Sequence, residues 1–86
     1  MITLFYTPTF IKQYAKLPHE LQAEVKEKIE LFKEEPQHPF LKTHKLKGEL
    51  KDLFSFSVNY KTRIVFMYDS KTEVSLLQVG SHDVYR

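Results

Sequence analysis

Apolar positions change period along this chain, and the changes outline its elements. From Ile2 to Thr7 they alternate, with Ile2, Leu4 and Tyr6 on one side and Thr3, Phe5 and Thr7 on the other, the pattern of a short strand. Thr7-Pro8 then reads as a helix start, with threonine as cap and proline at the first helical position. Phe10, Ile11, Tyr14 and Leu17 follow at helical spacing, and Pro18 stops that helix because it disfavours helical geometry at the residue before it. Pro18 also opens a second helix, from His19 to about Glu35. Leu21, Val25, Ile29 and Phe32 line one face of it; Lys and Glu fill the rest, with Glu24 and Lys28 in the favourable i,i+4 order.

Pro36 and Pro39 end the helical region, and residues 36–51 read as polar, basic and irregular, with Gly48 as their flexible point. From Leu53 the period becomes two. Leu53–Tyr60 puts Phe54, Phe56, Val58 and Tyr60 on one face and Ser55, Ser57 and Asn59 on the other. Thr62–Tyr68 puts Ile64, Phe66 and Tyr68 opposite Arg63, Val65 and Met67, with Asn59-Tyr60-Lys61 as a hairpin turn between the two strands. After a turn at Asp69–Thr72, Glu73–Val79 is a further strand, ended by Gly80. The order is β-α-α-β-β-β. It predicts a single α+β domain over residues 1–86, with the N-terminal strand and helical hairpin packed on a small, mainly antiparallel twisted sheet.

Composition narrows the chemistry. The 86 residues contain no cysteine, which removes disulfides, thiolate zinc sites and cysteine nucleophiles, and points to a reducing, cytoplasmic setting. Two glycines are too few for a glycine-rich phosphate loop. No apolar run approaches the roughly 20 residues of a membrane span, and no signal peptide opens the chain. Charge is unevenly spread. Residues 1–36 carry five Lys against six Glu, a net of −1; residues 37–63 carry Lys42, Lys45, Lys47, Lys51, Lys61 and Arg63 against Glu49 and Asp52, a net of +4. Such a patch suits a polyanion, and it is also what a solvated loop looks like.

Three groups are candidates for chemistry. At the C-terminal run Gly80-Ser81-His82-Asp83-Val84-Tyr85-Arg86 a strand ends and a His-Asp pair follows at once. Imidazole titrates near neutrality, so His82 is a candidate proton donor or acceptor; the plainer reading is a polar tail. Arg63 lies early in an apolar strand, where a guanidinium either binds a phosphate or pairs with Asp52, Glu73 or Asp83. His44 stands among Lys42, Lys45 and Lys47, as a second acid/base group, a phosphate donor or a solvated histidine. Tyr60 and Tyr85 offer rings for base stacking, though tyrosines of small domains are more often core or rim. The four histidines, at 19, 38, 44 and 82, form no i,i+4 pair, so no metal or other cofactor is expected. A metal-free acid/base reaction on a phosphodiester fits this inventory best.

The order of elements, with Phe10-Ile11-Lys12, Lys16-Leu17, His44-Lys45-Leu46-Lys47-Gly48, Asn59-Tyr60-Lys61-Thr62-Arg63-Ile64-Val65-Phe66 and Val79-Gly80-Ser81-His82-Asp83-Val84-Tyr85, resembles the RelE/ParE superfamily of toxins over nearly the whole chain. The resemblance implies the toxin of a type II toxin–antitoxin system, its partners a cognate antitoxin protein and mRNA on the ribosome. Most RelE-like members are endoribonucleases of this kind; ParE-like members instead poison DNA gyrase, and an orphan that only binds an antitoxin-like regulator is a further possibility. By resemblance, His82 and Arg63 are the catalytic core. His44 matches a histidine of the YafQ-like branch; Lys42, Lys45, Lys47, Lys61 and Tyr85 are substrate contacts, and Asp83 orients His82. The stretch 42–51 would face both RNA and antitoxin. Ser57 and Lys61 stand where YafQ-like toxins carry a histidine and an aspartate, and the glutamate of the YoeB branch has no counterpart before Gly48, which leaves the general base unassigned.

Overall fold

A computed structural model describes residues 1–48 and 52–81. Along the chain, β1 (Thr3–Tyr6) leads into α1 (Pro8–Ala15) and α2 (His19–Glu34), then a 3-10 turn at Pro39–Leu41. β2 (His44–Lys45), β3 (Phe54–Ser57), β4 (Thr62–Tyr68) and β5 (Glu73–Ser81) follow. They form one sheet in the order β1-β5-β4-β3-β2, with β1 parallel to β5 and the other pairs antiparallel. The expected α+β architecture is therefore present, with three differences. The stretch expected to be irregular contains β2, which gives the sheet an extra edge strand. The strand expected to run to Tyr60 stops at Ser57, so Tyr60 leaves the apolar face and is 80% exposed. Gly80 does not end the last strand, which continues to Ser81.

The local signals explain the helices. Thr7 caps α1 by accepting a hydrogen bond from Phe10 N at 3.2 Å, and its hydroxyl also donates to the Leu76 carbonyl at 2.8 Å. One side chain thus starts the helix and ties it to β5, where a bulge at Leu77 shifts the β4–β5 register. Beyond β1, the flank of β5 is taken up by α1: Gln13 Oε1 accepts from Val79 N at 2.8 Å. α2 begins after Pro18, and the α1–α2 joint is held by Gln22 Nε2 donating to the Tyr14 carbonyl at 2.9 Å.

The core lies between α2 and one face of the sheet. Val25, Ile29 and Phe32 are buried from the predicted stripe, while Leu21 packs at its margin. Phe32 stacks on Phe56 at 4.5 Å between ring centroids and meets Phe66 edge-on at 4.8 Å. These offset and edge-to-face geometries add to the burial of three fully enclosed rings. The register Phe54–Phe66–Leu76 and Phe56–Ile64–Val79 keeps this face apolar across three strands.

Candidate functional site

The same register sorts the candidate residues. Directly paired residues share a sheet face. His44 pairs with Ser55, Ser55 with Val65 and Val65 with Gln78; Ser57 pairs with Arg63, and Arg63 with Gly80. His44 and Arg63 therefore sit on one face, the one turned away from the helices, two strands across and two residues along, about 12 Å apart. Lys45 pairs with Phe54, so it is placed on the opposite face, at the sheet edge, and does not join them. Lys42, Lys47 and Lys61 are exposed in the connections around β2 and at the β3–β4 turn.

Arg63 is partly buried, and its anchor is backbone. Nη1 donates to the Asn59 carbonyl at 2.7 Å and makes a longer contact with the Thr62 carbonyl at 3.4 Å. Among the described residues, no carboxylate pairs with it, so the expected alternatives of an ion pair with Asp52 or Glu73 are not met. The turn that receives it is firmly built. Asn59 Oδ1 accepts from Lys61 N at 2.9 Å and Thr62 N at 2.8 Å, and Asn59 Nδ2 donates to Glu24 Oε2 on α2 at 3.3 Å.

His44 is exposed on the short edge strand. Its Nδ1 lies 2.9 Å from the Lys42 carbonyl. A carbonyl only accepts, so this bond assigns the ring proton to Nδ1; in the neutral ring, Nε2 is left with a lone pair. Lys42 itself adopts φ 49°, a left-handed conformation that turns the chain from the 3-10 segment into β2. Between His44 and Arg63 the face is closed rather than open: Ser55 and Val65 are buried, and Ser57 nearly so. The Ser55 hydroxyl has no hydrogen-bond partner among the described residues.

His82, Asp83 and Tyr85 lie outside the described residues. His82 is bonded to Ser81, the last residue of β5, which pairs with Thr62 next to the Arg63–Gly80 pair. No group of three or more metal-ligating side chains occurs among the described residues, nor does any helix there have the length and apolarity to cross a membrane. An apolar groove of about 470 Å³ runs along the helices, lined by Tyr6, Phe10, Ile11, Tyr14 and Ile29. It contains none of the candidate chemical groups. Sequence reasoning put Asn59 in the turn but missed that its carbonyl anchors Arg63 while its side chain organises the turn. An Asn opening a short connection between two alternating segments was the available signal.

No protein-family model matches the chain, and no curated protein matches it. Solved structures do. A chain of the toxin–antitoxin complex RelBE2 from Mycobacterium tuberculosis is 26% identical with a TM-score of 0.79, the match covering 94% of this chain and 98% of that one. A copper-bound mutant toxin from Helicobacter pylori is 26% identical with a TM-score of 0.69, covering 96% of this chain and 97% of that one. YafQ from E. coli shares the fold at 16% identity, with a TM-score of 0.77 and coverage of 99% and 98%. Strand order, helix placement and near-complete coverage of both chains put this protein in the RelE/ParE superfamily of toxins.

Proposed function

We propose that the chain is the toxin of a type II toxin–antitoxin system and a ribosome-dependent endoribonuclease acting on mRNA. The observation that carries the reading is Arg63: a guanidinium held by a turn carbonyl, on the face it shares with His44, with no carboxylate partner among the described residues. A planar fork of donors anchored at one nitrogen suits the non-bridging oxygens of a phosphodiester. The basic residues Lys42, Lys47 and Lys61 add charge for neighbouring phosphates, and Lys45 reaches such a strand only from the sheet edge.

In this reading the RNA 2′-hydroxyl attacks the adjacent phosphorus. The new 2′ oxygen–phosphorus bond forms as the bond to the 5′ oxygen breaks, leaving a cyclic phosphate and a free 5′-hydroxyl. His44 Nε2, with its lone pair set by the Nδ1 bond to Lys42, takes the 2′ proton. His82 delivers a proton to the departing 5′ oxygen, Asp83 orients it, and Tyr85 contacts the substrate. Arg63 stabilises the charge that grows on the phosphorane oxygens. Inhibition falls to a cognate antitoxin protein, in keeping with the toxin–antitoxin complex from M. tuberculosis.

The test is induction in cells carrying a defined translated message, with primer extension to map its 5′ ends. Cuts that appear with the wild-type chain and disappear with Arg63→Ala are the expected result. An intact message accompanied by DNA damage would assign the chain to the gyrase-poisoning ParE-like class instead.

A further inference from the structure

We propose that Tyr60 is a stacking platform for one nucleobase of the bound RNA strand; this deepens the endoribonuclease reading and rests on it. The alternation of Leu53–Tyr60 would bury Tyr60 beside Phe56 and Val58, yet it stands at the tip of the β3–β4 turn, 80% exposed. A large ring left in water is available to a partner, and the turn that carries it is tied down by hydrogen bonds. The side chain and carbonyl of Asn59 together hold Lys61 N, Thr62 N, Glu24 and the Arg63 guanidinium. Little ordering remains to be done when something docks on the ring.

The surroundings select a nucleic acid as that partner. Lys61 Nζ lies 5.8 Å from the Tyr60 ring centroid, within reach of a cation–π contact. Arg63 is fixed to the residue immediately before Tyr60. An aromatic face with a lysine beside it and a guanidinium anchored on the same turn combines what single-stranded RNA presents in alternation, a flat base and a phosphate. Any base has a π-face, so this contact adds affinity and aligns the strand while discriminating only by stacking strength. Loss of one such contact weakens binding by about 5- to 160-fold.

The experiment measures cleavage of a defined mRNA in a cell-free translation reaction as the message concentration is varied. Tyr60→Ala is expected to lower kcat/KM about tenfold, chiefly through KM, with an unchanged unfolding midpoint. Tyr60→Phe and Tyr60→Trp keep the wild-type kcat/KM; Tyr60→Leu, bulky but without a π-face, shows the same tenfold loss as Tyr60→Ala. If the wild-type chain cuts the message and the Ala and Leu variants cut it equally well, the platform is overturned and the nuclease reading stands. If those variants cut normally but escape inhibition by the antitoxin, Tyr60 belongs to the protein partner and the platform is again overturned. A wild-type chain that leaves the translated message whole overturns both.

Discussion

The two faces of the central sheet are built from alternate residues of the same strands, and they could hardly differ more. On the helix side, Phe56, Ile64 and Phe66 join Phe32 in a fully buried aromatic and aliphatic layer. One residue away along each strand, Ser55, Ser57 and Arg63 give the other face its polar positions, with His44 at the edge and buried Val65 between them. Stability is concentrated on the first face and candidate chemistry on the second. A one-residue slip in register would exchange them, so the packing of the apolar face also positions the polar one.

The comparison breaks most readily at Phe32. Phe32→Ala removes a ring that touches both Phe56 and Phe66, and should cost about 3–5 kcal/mol in urea unfolding. For a domain whose total stability is typically about 5–15 kcal/mol, toxicity should fall because little folded protein remains. A loss below about 1 kcal/mol would mean that this layer does not hold the sheet. On the other face, Arg63→Ala should reduce message cleavage by about 10²–10³-fold, equivalent to roughly 3–4 kcal/mol of transition-state stabilisation. Arg63→Lys should restore little, because a point charge does not reproduce the fork. The unfolding midpoint should move far less than with Phe32→Ala; an Arg63→Ala chain that cleaves normally would remove the guanidinium from the chemistry.

Smaller effects sharpen the contrast. Thr7→Ala deletes both the α1 cap and the hydroxyl bond to Leu76, and should cost about 1–2 kcal/mol. Thr7→Ser should recover most of it in the same unfolding assay. Ser55→Ala removes a buried hydroxyl that has no partner among the described residues, so stability should be unchanged or rise by up to about 1 kcal/mol. A clear loss of stability in Ser55→Ala would show that this hydroxyl is satisfied in solution.

How far the sequence could be read follows the same division. Period-two alternation located β4 to the residue, and Thr7-Pro8 located the start of α1, because local sterics and capping decide both. β2 was invisible: two residues, His44 and Lys45, carry no period, and only pairing with Ser55 and Phe54 makes them a strand. The turn at Asn59-Tyr60-Lys61 was legible, but the strand before it was drawn too long, because alternation continues through Asn59 whereas the Asn59 side chain bonds the turn and the ladder ends at Ser57. The site was legible as residue types, an arginine and a histidine amid basic neighbours. That His44 shares the face of Arg63 while Lys45 does not depends on cross-strand register, which no single segment encodes.

The partnering of β1 with β5 has a consequence for biosynthesis. Thr3 pairs with Glu73 and Tyr6 with Leu76, so the earliest strand made waits for the last before it gains a neighbour. Such distant closure delays folding relative to locally paired sheets. A chain cut short before Glu73 therefore leaves β1 without a strand beside it, and the five-stranded sheet forms only once β5 has been made.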